Sequence, residues 1–155
     1  MDEDVIHELS ESESWEFLAS QRVGRLAFHL ARDVHLAPVN HAVVGRRIVF
    51  RTAEGSKLLG VTMNPDVAFE VDEIAQDQAV SVVVRGFATH LGGSATVIAD
   101  HAELHPWVPT YKDEVVVIDA TEISGRRFQL APHDDALHDD ALHDDAPHGN
   151  PEHAG

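Results

Sequence analysis

The chain has 155 residues, enough for one domain with a sizeable core and too few for two. It contains no cysteine, which excludes disulfides, thiolate metal sites and cysteine nucleophiles. A formal net charge of −16 argues against nucleic acid and anionic membranes as partners, because both are bound through cationic surfaces. The N-terminus is acidic and no apolar run is long enough to span a bilayer, so we expect a soluble, cytoplasmic protein.

Two helices and a series of strands are predicted along residues 1–130. Ser10 and Glu13 form a capping-box pattern, which predicts a short helix to about Ser20 with Trp15 and Leu18 facing the core. A second helix of about two turns begins near Ser56 and is ended by the Asn-Pro at positions 64–65. Strands are predicted where β-branched and aromatic residues concentrate, over residues 23–30, 34–44, 48–52, 67–72, 80–91, 115–118 and 123–130.

Three residues predict local departures from regular strand pairing. Pro38 predicts an edge position or an irregularity, because proline cannot donate to a ladder. Gly45 predicts a tight turn into the third strand, and Gly86 predicts a bulge in the longest one. Many short strands with few helices predict a mainly β fold, a closed or split antiparallel barrel.

The composition changes abruptly after Leu130. A five-residue repeat, Ala-Leu-His-Asp-Asp, has too few apolar groups to offset the entropy of ordering, so residues 131–155 are predicted to be a disordered tail. Its histidines are metal-ligand types, but a five-residue period turns successive residues by about 140° on a helix. A solvated acidic tail or weak metal buffering is therefore favoured. His101 and His105 are four residues apart, as in the zinc-protease motif, but Glu103 is wrongly placed for that motif, so no metal site is predicted.

The most informative stretch is the corner that follows the third strand. Residues 48–52 form the strand, residues 53–55 interrupt it, and the second helix begins. The corner gathers a guanidinium, two hydroxyls and an ammonium, from Arg51, Thr52, Ser56 and Lys57. With the free N–H groups of the helix start, these favour a phosphate monoester as ligand. The alternative is an ordinary solvated turn.

Two further candidates remain open from the residues alone. Trp107 could stack on a planar ring or fill a dimer contact. Arg126 and Arg127 could reach a phosphate or a partner's carboxylate, or could be solvated on the last strand. Motifs for hydrolases and kinases are absent from the sequence, and no side chain is identified as a catalytic acid or base.

The ordered set of motifs resembles the pyridoxamine 5'-phosphate oxidase-like family of FMN-binding split barrels. The resemblance covers most of residues 9–130. It rests on Val23-Gly24-Arg25-Leu26-Ala27, Pro38-Val39-Asn40, Phe50-Arg51-Thr52-x-x-Gly55-Ser56-Lys57-Leu58, Val67-Ala68-Phe69-Glu70-Val71-Asp72, Ser81-Val82-Val83-Val84-Arg85-Gly86 and Gly125-Arg126-Arg127-Phe128. One departure is Ala79-Val80, where many relatives carry Gly-Trp.

The resemblance implies a homodimer with FMN, or a deazaflavin in some relatives, in a groove at the interface. It implies that the phosphate lies at the corner and that the flavin ring lies against the backbone of residues 38–40, the Pro38 segment. The cofactor contacts it implies are Pro38, Val39, Asn40, Arg51, Thr52, Ser56, Lys57, Trp107 and Arg127. The implied function is a flavin-dependent oxidoreductase with a small-molecule substrate. The alternatives are a deazaflavin-dependent reductase and a non-catalytic flavin-binding or sequestering protein.

Overall fold

The computed structural model describes residues 5–53, 55–91 and 114–131. These residues form, in chain order, β1 (Ile6–Leu9), α1 (Glu11–Ser20), β2 (Val23–Leu30), β3 (Asp33–Val44), β4 (Arg47–Thr52), α2 (Ser56–Met63), β5 (Asp66–Ile74), β6 (Gln78–Leu91) and β7 (Glu114–Gln129). The sheet order is β1-β7-β4-β3-β2-β5-β6, and β6 also pairs with β7, which closes the ring. The predicted mainly β, antiparallel split barrel is confirmed.

The two predicted helices are present. At the start of α1, the Ser10 hydroxyl accepts from the Glu13 N–H at 3.1 Å, and the Glu13 carboxylate accepts from the Ser10 N–H at 3.0 Å. This is the predicted capping box. Leu18 is fully buried and Trp15 packs against the core, as expected. Neither described helix is long and apolar enough to cross a membrane.

The core lies inside the barrel and is built by alternation along the strands. Phe50, Phe69 and Ile118 are fully buried, and alternate residues of β5 and β6 are buried as well. The chain approaches this core closely at Gly24, where a Cβ would lie 2.2 Å from the Phe69 ring. A glycine is needed there because the ring already occupies the space that a side chain would take.

Two features of the strands differ from the prediction. The two closing strands predicted at residues 115–118 and 123–130 are one continuous strand, β7. The polar residues 119–122 resemble a turn, but Asp119, Ala120 and Glu122 all pair with β6, and the register shift at Arg85/Gly86 accommodates Thr121 as the extra residue. The same shift confirms the predicted bulge at Gly86. Strand β1 was not predicted, because four residues are too short for a clear pattern.

Strand β3 is paired differently along its two halves. The barrel therefore opens between β3 and β4, and we call this opening the split. Residues 41–44 pair with β4 on one side, and the Gly45 turn, with φ of 62°, makes the predicted tight connection. Residues 33–40 pair with β2 and have no partner strand on their other side among the described residues. Among the described residues, Pro38 therefore lies at an edge, as predicted.

Candidate functional site

The split brings two of the predicted segments together. The last pair of the β3–β4 ladder is His41 with Phe50, so Asn40 and Arg51 are the next residues on the two diverging strands. Val39 and Thr52 follow them, and both of these are buried, at 6% and 3% exposure. The Pro38 segment and the end of β4 therefore border the same opening.

The end of β4 diverges from β3 because it continues along β7. Arg51 pairs with Val115 and Thr52 pairs with Glu114, the first residue of β7. The Thr52 hydroxyl donates to the Ala53 carbonyl at 3.2 Å, so in this structure it stabilises the turn after the strand. Arg51 is half-buried at the rim of the opening.

The N-terminus of α2 points its backbone donors out of the same turn. The first helical hydrogen bond joins the Leu59 N–H to the Gly55 carbonyl at 3.0 Å, so the N–H groups of the three preceding residues have no acceptor within the helix. The N-cap residue, Gly55, makes no side-chain cap, and nothing lies within 4 Å of a Cβ built on it. The start of α2 therefore lies at a turn that has open space beside Gly55.

These groups fit a phosphate. The helix dipole, the half-buried Lys57, the exposed Ser56 and the Arg51 guanidinium all favour an anion at the turn. Glu114, opposite Thr52, is hydrogen-bonded to His90. A phosphate with a planar ring attached could extend from α2 along the edge of β3 that no described strand covers. The arrangement can bind and orient such a ligand.

The two other predicted contacts do not join this corner within one chain. Arg127 lies near the far end of β7 from Glu114, between His7 of β1 and Val80 of β6, and is exposed. Trp107 lies outside the described residues, as do the His101–His105 pair and residues 132–155 of the predicted tail.

His41 is a residue of this region that the sequence analysis missed. It is 4% exposed, and its Nε2 donates to the Leu18 carbonyl at 2.9 Å. Its ring packs edge-on against the Phe69 ring, with 4.9 Å between the ring centroids. Burial lowers the pKa of His41, so the ring is neutral, and Nδ1 has no hydrogen-bond partner within the described chain. The hydrogen bond from His41 to Leu18 links α1 to the last residue pair of the β3–β4 ladder. A histidine at a core-facing position of β3, between Val39 and Val43, was the available signal.

A charged cluster on the outer surface of the barrel was also missed. Arg25 lies opposite Pro38 across β2–β3 and donates to Glu70 at 3.0 Å and to Asp72 at 3.1 Å. Burial raises the pKa of Glu70, and the neighbouring Asp72 raises it further, while Arg25 opposes both effects. The cluster therefore links β2 and β5 beside the Pro38 segment.

Comparison with known proteins places these features in a family. The family model of pyridoxamine 5'-phosphate oxidase matches residues 10–127. A solved structure from Corynebacterium glutamicum is 39% identical, with a TM-score of 0.74, over 83% of this chain and 97% of that one. The FAD binding protein from Mycobacterium smegmatis is 36% identical, with a TM-score of 0.68, over 79% of this chain and 98% of that one.

A FAD-binding protein from Mesorhizobium loti is 26% identical, with a TM-score of 0.69, over 79% of this chain and 97% of that one. The span matched by the family model runs from the cap of α1 almost to the end of β7, and it contains the split, the corner and the N-terminus of α2. The chain therefore belongs to the pyridoxamine 5'-phosphate oxidase family.

Proposed function

We propose that this protein binds a flavin nucleotide at the split, with the phosphate at the N-terminus of α2 and the ring along the edge of β3 that has no partner strand among the described residues. The observation that carries the proposal is the convergence of the α2 N-terminus, Arg51 and the Pro38 segment on one opening. The two relatives described as FAD-binding support a flavin as the ligand.

FMN is the simplest ligand for this corner, because its single phosphate matches one helix terminus flanked by a lysine and an arginine. FAD is a specific second candidate, because two relatives are described as binding it. A deazaflavin is the third. The absorption spectrum of the purified protein separates the deazaflavin from the two flavins, and the mass of the released cofactor separates FMN from FAD.

The function that we propose is a flavin-dependent oxidoreductase acting on a small molecule. When bound, the flavin supplies the hydride and electron transfer. The chain would hold the phosphate through Lys57 and Ser56, and it would orient the ring against the backbone of Val39 and Asn40. A flavin-binding or sequestering protein without turnover is the alternative. Reoxidation of the bound, reduced flavin by an added electron acceptor, followed spectroscopically, separates the two.

We also propose that the protein acts as a homodimer with the flavin groove at the interface. Among the described residues of one chain, no strand lies beyond residues 33–40 on the side away from β2. A second copy could close that side. Arg127, which lies far from the corner of its own chain, would then be available to the groove of the other copy.

The phosphate contact is tested by titrating FMN into the Lys57→Ala variant and following flavin fluorescence. A charge-assisted hydrogen bond contributes on the order of 1.5–3 kcal/mol, so we expect binding to weaken roughly ten-fold or more while the fold persists. The matched control is Arg32→Ala, which removes an exposed cation from the turn between β2 and β3. Wild-type affinity in Lys57→Ala, or riboflavin binding as tightly as FMN, would contradict the assignment.

A further inference from the structure

His41 is the residue at which three elements meet beside the split. Its backbone N–H donates to the Arg22 carbonyl, just before β2, at 3.0 Å, and its side chain donates to the Leu18 carbonyl, in the last turn of α1, at 2.9 Å. Its ring packs edge-on against Phe69 of β5. Its pair with Phe50 is the last one that joins β3 to β4. One residue therefore links α1, β2 and β5 to the place where the two strands separate.

The neighbours of this last pair border the proposed ring site. Asn40 precedes His41 on β3, and Arg51 follows Phe50 on β4. The pair of His41 with Phe50 is the final direct link between the two strands before the opening. A movement of His41 therefore shifts the backbone against which we place the flavin ring.

The surroundings of the His41 ring suit one protonation state. Nε2 carries the proton that is donated to Leu18, so Nδ1 is left with a lone pair, and that atom has no hydrogen-bond partner among the described residues. The side chain is buried beside Phe50 and Phe69, which are themselves fully buried. A second proton, on Nδ1, would place an unpaired donor and a positive charge in these apolar surroundings. The ring therefore has to leave its place in order to accept that proton.

None of the described charged residues faces the imidazole to compensate such a charge. Burial lowers the pKa of His41, and the hydrogen bond to the Leu18 carbonyl opposes this effect. The nearest other titratable residue along β3 is His35, six positions away. The charged residues that flank the contacts of His41 on the surrounding elements are exposed or point outward from the barrel, namely Glu13 and Glu16 on α1, Arg22 and Arg25 at the start of β2, Arg51 on β4 and Glu70 on β5.

We propose that His41 is a positioning residue that makes ligand binding at the split depend on pH. While the imidazole is neutral, its bond to Leu18 holds the end of the β3–β4 ladder in the arrangement that accepts the ring. Once the imidazole is charged, the side chain leaves its place, that bond is lost and Asn40 moves. The proton and the ligand therefore select different arrangements of β3, and each weakens the binding of the other. The inference rests on the proposed function and adds how binding at that site is regulated.

The linkage has a defined sign and a limit. The free protein takes up the proton when the ring leaves its place, where an imidazole has its ordinary pKa of about 6.5. The ligand-bound protein keeps the ring neutral. Affinity is therefore constant at neutral pH and falls as the pH drops below about 6.5, by at most about ten-fold per pH unit, because one proton is exchanged.

The first test is a fluorescence titration of FMN and of riboflavin at about pH 7.5 and at about pH 5.5, for the wild type and for His41→Gln. Glutamine keeps a donor for the Leu18 carbonyl but does not titrate. Riboflavin has no phosphate, so its use removes the titration of the phosphate from the comparison. We expect the wild type to lose about three- to ten-fold in affinity for both ligands at the lower pH, and the variant to lose less. Equal losses in the two proteins would overturn the proposal.

The second test separates positioning from phosphate binding. His41→Leu removes the bond to Leu18 at every pH, so we expect FMN and riboflavin to bind about ten-fold more weakly, whereas Lys57→Ala should weaken FMN alone. Val82→Ala is the matched control, because Val82 is also fully buried but lies on β6; it should lower stability and leave both affinities unchanged. Wild-type affinities in His41→Leu would contradict the positioning role.

The state of His41 can also be read without any ligand. Nitrogen NMR of the imidazoles, with the signals of His41 identified from their loss in His41→Gln, should show a neutral ring protonated on Nε2. Amide exchange of residues 39–42 should speed up in acid in the wild type more than in the variant. A ring that becomes charged in place, with these amides still protected, would overturn the proposal.

The two proposals can fail separately. If the protein binds no flavin at any pH but its amide exchange responds to acid through His41, the proposed function is wrong and the coupling of His41 to the split stands. If FMN binds with Lys57-dependent affinity that is the same in His41→Leu, the positioning role is wrong and the proposed function stands.

Discussion

The two sides of the barrel differ in how long their strands stay paired. Strands β6 and β7 form fourteen antiparallel pairs and close the ring, whereas β3 and β4 form four before they separate. The closed side is lined by fully buried valines and Ile118, and the open side ends in Asn40, Arg51 and the turn to α2. Extensive pairing thus supplies a rigid frame, and the end of pairing supplies backbone and polar side chains for a ligand.

The pairing of β4 with β7 explains how the corner is held although it ends in a turn. Strand β4 is held by β7 through its last residue, Thr52, so the corner is fixed by the closed side even though it opens toward the other. A site supported by paired strands is positioned more accurately than one on a free loop. Changes at the closed side should therefore lower stability, and changes at the corner should lower binding.

The largest expected loss of stability comes from adding one methyl group to the closed side. In Gly86→Ala, the new Cβ would lie 2.1 Å from the Asp119 carbonyl oxygen, which is backbone and cannot rotate away. We expect the free energy of unfolding to fall by about 3 kcal/mol or more, because the β6–β7 seam must move apart. Urea unfolding followed by circular dichroism measures the change.

The same substitution at Gly45 provides the control on the open side. Nothing lies within 4 Å of a Cβ there, and the cost comes from the positive φ of 62° alone, at roughly 1–2 kcal/mol. If Gly45→Ala destabilised the protein as much as Gly86→Ala, the closed side would not be the more tightly constrained of the two.

Acid should destabilise the protein through His41, at the last rung before the split. Burial lowers the pKa of His41 below its usual value of 6.5, so the unfolded chain takes up a proton at a pH where the folded chain does not. Stability therefore falls as the pH drops below about 6.5, by at most about 1.4 kcal/mol per pH unit, until the folded-state pKa is reached. Above that range His41 is neutral in both states and adds no pH dependence.

The measurement is urea unfolding at about pH 7.5 and at about pH 5.5, for the wild type and for His41→Gln. Glutamine can still donate to the Leu18 carbonyl but does not titrate. The variant should lose less stability than the wild type over this interval. Equal losses in the two proteins would show that other groups cause the acid sensitivity.

Local patterns were sufficient to predict most of the elements. The capping box, the Gly45 turn and the Gly86 bulge each follow from a few adjacent residues, and all three are present. The error at residues 119–122 has a different origin. Whether a polar stretch turns or continues as a strand depends on a partner, and here the length of β6 keeps it extended.

The candidate site was predictable only in part for the same reason. Arg51, Ser56 and Lys57 stand out because their residue types suit an anion. The Pro38 segment borders them only because β3 and β4 separate after the pair of His41 with Phe50. The register between two strands cannot be predicted from the sequence of either strand alone. His41 and the Arg25 cluster are defined by burial and by contacts between strands, so sequence spacing does not reveal them.

Removing the cap of α1 should affect stability without affecting the corner. Ser10→Ala deletes the acceptor of the Glu13 N–H, and such losses cost about 1 kcal/mol. Because α1 packs on the closed side near Gly125, we expect a lower melting temperature and an unchanged FMN affinity. Weaker FMN binding in this variant would show that α1 supports the site directly. Ser20→Ala, at the exposed C-terminal end of the same helix, is the control.

The smallest effect is expected from deleting residues 132–155. The last described contact of the chain is the bond from the Leu130 N–H to the Asp77 carbonyl, at 2.8 Å, and it lies before the cut. The repeat beyond it is too poor in apolar residues to stabilise a fold, so the melting temperature and the FMN affinity should both stay unchanged. A cut after Gly125 is the contrasting variant, because it removes the rungs that Arg126, Arg127 and Phe128 form with β1 and β6. That protein should unfold at a markedly lower temperature. A comparable loss from the shorter deletion would mean that the tail contributes to the closed side of the barrel.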